Sequence, residues 1–253
     1  MSCNAGALTV GTRAAFAGDD LFCEQTMAAL VAGVSTRTFI DAILDEGLAC
    51  HMTFVSEGIP FVLSMAYARC GDVLYLHGAR GSRLLQALGD GPQVCVTVTL
   101  LDGLVLAASA LSHSMNYRSA VVIARAAAVS DPAEKLAALR RCRSTPSPAA
   151  ERTSDLPSKQ ELAATTVLSL PLDQGSAKVR CGAPVDAPAD RDSPVWVGEI
   201  PLTLSASAPV SVAAVAGKLP VPGYAASHTE RRAVWLRDRQ AGAGPDALRV
   251  AEG

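Results

Sequence analysis

Basic charge is what this sequence most conspicuously lacks. Lysine and arginine number 22 against 24 acids, a formal charge of −2, whereas a nucleic-acid partner calls for a basic excess. Aromatic residues make up 4%, too few for the stacking platforms of single-strand binders. No apolar run approaches the ~18 residues of a membrane span, and residues 1–16 lack the long apolar core of a secretory leader. The seven cysteines are scattered and none forms Cys-x-x-Cys, so reduced thiols and a cytoplasmic location are expected rather than a disulfide framework. His-x-x-x-His, Gly-x-Ser-x-Gly and the Gly-Lys-Ser/Thr ending of a Walker loop are all missing. A zinc site, a serine hydrolase and a Walker-type nucleotide site are thereby disfavoured. No nucleic acid, no membrane and no metal are the expectations.

What is present is a large apolar fraction, 49%, enough for a sizeable core. Residues 1–33 read as an arm, 34–204 as one domain, and 205–253 as an extension with a partly disordered tail. Phe39, Ile40, Ile43 and Leu44 at helical spacing after Ser35-Thr36 predict a helix stopped by a left-handed Gly47. Strands are predicted over 48–56, 59–68, 73–77, 94–101, 104–110, 117–129, 165–172, 176–180 and 195–204. Glu57-Gly58 and Asp102-Gly103 are the expected hairpin turns, and Pro60 marks an edge strand. Asp131-Pro132-Ala133-Glu134 opens a helix with a capping-box acid, a short helix falls within 157–164, and Ser227 caps another running to Arg239. Hairpin-joined strands with flanking helices predict a mainly β chain, an antiparallel barrel with peripheral helices.

Chemistry concentrates in three places. In His77-Gly78-Ala79-Arg80-Gly81-Ser82-Arg83 a strand gives way to a helix through two glycines. Free amides, a hydroxyl and a guanidinium there suit a phosphate monoester; the alternative is an ordinary capped helix with surface arginines. Tyr117-Arg118-Ser119 places Tyr117 and Ser119 on one strand face and Arg118 on the other. His77 and His113 each suit a hydrogen-bond donor, an acid or base, a metal or haem ligand, or a satisfied structural histidine. Ser176, Lys178 and Arg180 share a face, either for an anion or for a solvated edge. Cys50 and His51 point to opposite faces of a strand and make a poor metal pair.

Tyr75-Leu76-His77-Gly78, Ser82-Arg83-Leu84-Leu85, residues 94–106 and His113-Ser114-Met115-Asn116-Tyr117-Arg118-Ser119 resemble the pyridoxamine 5′-phosphate oxidase-related proteins. The resemblance is to the flavin-nucleotide-binding branch that includes nitroimidazole-resistance proteins, and it spans roughly 35–204. It implies an FMN-binding antiparallel split β-barrel that forms a homodimer, with FMN in clefts between subunits. It implies that Ser82 and Arg83 face the FMN phosphate, flanked by Leu76, His77 and Gly78. It implies that Pro60, Val62, Leu63 and Ser64 run along the isoalloxazine and ribityl chain, with Tyr117, Arg118 and Ser119 completing the site. His77 falls where relatives carry a functional histidine and is the candidate catalytic residue, delivering a proton to a small-molecule substrate. The sequence departs from the family pattern at Ser64-Met65, Ala108, Leu111-Ser112 and Ala124. Leu84 stands where the oxidases carry a lysine, so oxidation of pyridoxamine phosphate itself is not expected. An FMN-dependent oxidoreductase is the first expectation; a non-catalytic flavin or haem binder is the second.

Overall fold

A computed structural model describes residues 36–82, 91–144, 157–190, 193–213 and 217–228, together with Leu85 and Leu88. Helix α1 (Thr36–Glu46) turns Ile40, Ile43 and Leu44 into the core, as their spacing requires. It ends at Gly47, whose amide donates to the Ile43 carbonyl at 2.9 Å. Gly47 is not left-handed as expected, since it is absent from the positive-φ residues. Its need for glycine is steric: a Cβ there would lie 2.5 Å from Val98 Cγ1 and 2.6 Å from Tyr67 Oη.

Strands β1 (Cys50–Ser56) and β2 (Ile59–Met65) form a hairpin. Its turn residues Glu57 and Gly58 have φ of 52° and 76°, the twist-matching conformation of a two-residue turn. Phe54 and Phe61 stack across it at 5.3 Å. The single return strand expected over 59–68 is in fact two strands in two sheets. The chain leaves β2 at Met65 and enters β3 (Tyr67–Cys70), which pairs with β4 (Val73–Ala79).

Asp102-Gly103 also departs from the expected hairpin. It makes no turn; β5 runs unbroken from Gln93 to Leu106 and is bulged against β6 (Ser114–Arg125) between Leu101 and Gly103. The true connection spans residues 107–113 and includes a 3₁₀ turn, Ala110–Ser112. Tertiary pairing outweighs the local signal here. Strand β6 flanks this stretch on one side and β10 (Gly198–Pro201) on the other. Every ladder bond formed there is one that a turn would forfeit.

After β7 (Ala127–Ala128), helix α2 (Pro132–Ser144) starts as expected, with Asp131 Oδ2 accepting from the Glu134 amide at 2.9 Å. The Glu134 carboxylate is spent elsewhere, accepting the Tyr75 hydroxyl at 3.0 Å. The reciprocal capping box occurs instead at α3 (Lys159–Ala164), between Ser158 and Glu161. Strands β8 (Thr165–Pro171) and β9 (Gly175–Arg180) follow. The strand expected over 195–204 shortens to β10, and Ser227 closes rather than opens the short helix α4 (Gly223–Ala226). The helix expected onward to Arg239 lies outside the described residues from Thr229.

Two antiparallel sheets result, ordered β2-β1-β5-β6-β9, with β10 also on β5, and β3-β4-β8-β7. They do not close on each other, the arrangement of a split barrel. Met52, Tyr67, Leu74, Leu76, Val96, Val98, Val122, Leu168 and Leu170 are among the side chains packed in one core. A smaller cluster, Ala138, Leu139 and Val167, seats α2 on the outside of the second sheet against Tyr75 and Leu162.

Candidate functional site

Strand β4 alternates. Leu74 and Leu76 point into the core, each 0% exposed, while Tyr75 and His77 face the opposite side. Val167 lies directly across from His77. The expected cofactor contact Leu76 is therefore a core residue that can support the site only from beneath. His77 Nδ1 is buried and has no hydrogen-bond partner among the described residues. Burial holds this imidazole below the ordinary histidine range, so the ring is neutral near pH 7.

The bend after His77 is tightly built. A Cβ on Gly78 would run into the Leu85 side chain, so glycine lets the next helical turn lie against the strand end. The Ser82 amide donates to the Ala79 carbonyl at 3.0 Å, and Ser82 Oγ accepts from the Leu85 amide at 3.4 Å. The Arg80 amide reaches the Ala164 carbonyl at 2.8 Å, tying the bend to the end of α3. Arg83 lies outside the described residues.

Strand β2 presents Pro60, Val62 and Ser64 outward, across from Val55, Thr53 and His51; Leu63 turns inward against the core. On β6, Tyr117 and Ser119 share one face, opposite Arg118, as expected, and that face is the outward one. Lys178 Nζ stands 5.8 Å from the Tyr117 ring centroid, and Arg180 Nη1 donates to Asn116 Oδ1. Both cations thus meet groups of their own sheet rather than an open anion site.

Arg118 faces inward and is committed. Nε and Nη2 donate to Asp102 at 2.8 and 2.7 Å, and Nη1 and Nη2 to Glu46 at 2.6 and 2.9 Å. Burial alone would lower its pKa, but its hydrogen bonds to the Asp102 and Glu46 carboxylates raise it instead. Four donors on two carboxylates leave this expected cofactor contact acting as a clamp between β6, the β5 bulge and α1.

The structure therefore gathers His77, Gly78 and Ser82 at one bend. It sets Pro60, Val62, Ser64, Tyr117 and Ser119 on the outer face of the first sheet, and it withdraws Leu76 and Arg118 inward. Sequence reasoning missed the segment between β9 and β10. Asp186 Oδ2 and Oδ1 accept the Ala108 and Ser109 amides at 2.9 and 3.1 Å, a contact 77–78 residues apart that no local pattern announces. His113 Nδ1 accepts the Ala107 amide at 3.0 Å, which leaves the ring hydrogen on Nε2.

Comparison with known proteins places this geometry. The family model described as pyridoxamine 5′-phosphate oxidase matches residues 36–179, more than half of the chain. The structure of the flavocytochrome Anf3 from Azotobacter vinelandii is similar at 35% identity, with a TM-score of 0.69 over 74% of this chain and 87% of that one. The FAD and heme binding protein from Mycobacterium smegmatis is similar at 33% identity, with a TM-score of 0.74 over 77% of this chain and 96% of that one. Residues 1–179 are 71% of the chain (179 of 253), so both alignments extend past Val179. No curated protein matches the chain.

Proposed function

Because the chain belongs to the pyridoxamine 5′-phosphate oxidase family, we propose that it binds a flavin nucleotide, FMN in the first reading, and works as an oxidoreductase on a small molecule. The observation that carries this is the buried Nδ1 of His77, which has no partner among the described residues, beside the Gly78–Ser82 bend. A buried polar atom without a partner costs about 1–3 kcal/mol. Such a cost is sustained where a ligand completes the bond.

A bound flavin would supply the electron transfer. The residues of the chain have narrower tasks. Gly78 and Ser82 shape the phosphate end, and Arg83 is the cation proposed beside them. Pro60, Val62 and Ser64 offer an outward row to the ring system, and Tyr117 and Ser119 offer another. His77 holds or releases one proton at Nδ1, and because burial keeps it neutral, proton delivery from it strengthens as pH falls. The apolar edge hairpin supports a homodimer that shelters the cleft, since Val55, Ile59 and Val62 are 63%, 56% and 61% exposed and an uncovered edge of this kind invites pairing.

The test is the absorbance spectrum and native mass of the purified protein, with mass spectrometry of any released cofactor. A yellow dimer releasing FMN, whose flavin absorbance drops in Arg83→Ala, supports the proposal. Release of FAD corrects the nucleotide alone. A colourless protein that gains no flavin on titration rejects it. Flavin that no NAD(P)H reduces with any acceptor replaces the enzyme with a sensor.

A second reading adds haem. Both similar structures are named for it alongside or within a flavoprotein, and both alignments include sequence beyond the family model. His113 suits such a group as a donor to a carboxylate: with Nδ1 taken by the Ala107 amide, Nε2–H is a donor and not an iron ligand. A Soret band on adding hemin to the purified protein tests this reading.

A further inference from the structure

Beyond β10 the sequence alternates. Leu202, Leu204, Ala206, Ala208, Val210 and Val212 take turns with Thr203, Ser205, Ser207, Pro209 and Ser211. Strict alternation over such a length is the signature of a strand with one buried face. Among the described residues, however, the last strand is β10, which ends at Pro201. The apolar row is bare where its side chains are largest: Leu204 is 65% exposed, Val210 93% and Val212 68%. A strand pattern left outside every sheet of its own chain calls for a sheet elsewhere.

The backbone says which edge would pair. Successive residues of a strand aim their amides at opposite edges. The Leu202 amide donates to the Asp102 carbonyl at 2.9 Å, so the even-numbered residues serve one edge and the odd-numbered residues the other. Pro209 is odd-numbered and has no amide, which confines it to an edge that does not pair. The pairing edge is therefore that of Leu204, Ala208 and Val210. The first sheet offers a matching edge at β2, its outermost strand, which pairs only with β1. The two-residue turn sets Ser56 and Ile59 as a hydrogen-bonded pair, so Val55 and Pro60 form the next, non-bonded one. Pro60 suits that place, since it has no amide to give to β1. The backbone groups of Val62 and Ser64 accordingly face the open edge.

We propose that residues 202–212 of one copy of the chain add to the β2 edge of a second copy as an antiparallel strand. The amides and carbonyls of Leu204, Ala208 and Val210 meet those of Val62 and Ser64, and the apolar row lies beside the Val62 side chain. This rests on the homodimer of the proposed function and not on its flavin. A second copy is favoured over the chain's own sheet because both halves of the contact stay open within one chain: Val62 is 61% exposed, and the alternating row stands off the sheet that β10 has just joined. Fully extended, residues 202–212 reach about 35 Å, more than the seven residues of β2 require. A two-fold axis makes the exchange reciprocal. The added strand becomes the new edge of each sheet, and Pro209 there blocks a further strand.

The experiment follows amide hydrogen exchange by mass spectrometry on the full chain, at concentrations above and below the dimer dissociation constant measured by sedimentation. Slow exchange in residues 59–65 and 202–212 of the dimer, lost in both on dilution to monomer, is expected. Ala208→Pro removes an amide from the pairing edge, and Val210→Glu sets a carboxylate in the apolar row; each should weaken dimerisation about tenfold or more and release both segments. Ser205→Pro alters only the outer edge and should leave the dimer intact. Flavin absorbance per folded chain should follow the dimer fraction alone. A dimer in which both segments exchange freely, or one that Ala208→Pro leaves unweakened, overturns the strand exchange and spares the homodimer. Ser205→Pro as damaging as Ala208→Pro overturns the assigned edge. Protection that persists in the monomer returns the segment to its own sheet, which also overturns the proposal. A chain that is monomeric at every concentration removes the homodimer reading and the strand exchange with it.

Discussion

Replacing Arg118 by methionine separates a cofactor contact from an internal clamp. The substitution keeps most of the apolar volume and removes the guanidinium between Glu46 and Asp102. Side-chain exposures are 22% for Arg118, 14% for Glu46 and 36% for Asp102. Removing one partner of a buried ion pair costs about 3–5 kcal/mol. The Asp102 half is open enough for solvent to screen part of its share, which brings the expected loss to about 3 kcal/mol. In a domain of this size each kcal/mol shifts Tm by about 2–4 °C, so Arg118→Met should melt roughly 6–12 °C lower. Calorimetry or urea unfolding, with Glu46→Gln and the double variant closing a thermodynamic cycle, measures the coupling. Arg118→Met should also retain flavin affinity per folded molecule. A loss under about 0.5 kcal/mol, the range of ordinary surface substitutions, would refute the clamp. So would wild-type stability accompanied by lost flavin.

Three further outcomes are expected. Burial puts the folded-state pKa of His77 below the reference 6.5. As pH falls beneath that value the unfolded chain takes up a proton the folded chain does not, so stability declines until the folded pKa is reached; flavin-free His77→Gln should show a flatter unfolding profile below pH 6.5, and an unchanged slope would contradict the burial argument. Gly47→Ala sets a methyl 2.5 Å from Val98 and 2.6 Å from the Tyr67 hydroxyl, an overpacking that should cost about 1–3 kcal/mol in urea unfolding; a neutral result would show that the helix end yields. Asp186→Asn leaves one amide acceptor where two carboxylate oxygens now serve. It should destabilise by about 1–2 kcal/mol and speed limited proteolysis within residues 181–197, and equal digestion rates would deny the contact its role in holding that segment.

The sequence by itself determined the class of fold, the helix α1, the bend that ends β4 at Gly78–Ser82 and the alternation of Tyr117, Arg118 and Ser119. Each of these is written in local periodicity or in a motif a few residues long. What it left undecided is visible in two similar dipeptides. Glu57-Gly58 makes a hairpin turn because nothing but its own two strands competes for it, and β2 is an edge. Asp102-Gly103 carries the stronger turn signal and yet stays inside a strand. Its neighbours β6 and β10 pair on both sides, and Arg118 holds the Asp102 carboxylate at the bulge. Only the assembled fold decided that Arg118 clamps α1 to the sheet, that Leu76 is core, and that the β10 segment returns to pair with β5. The reason is distance along the chain: those contacts join residues far apart in sequence, and their energy exists only once the two sheets have met.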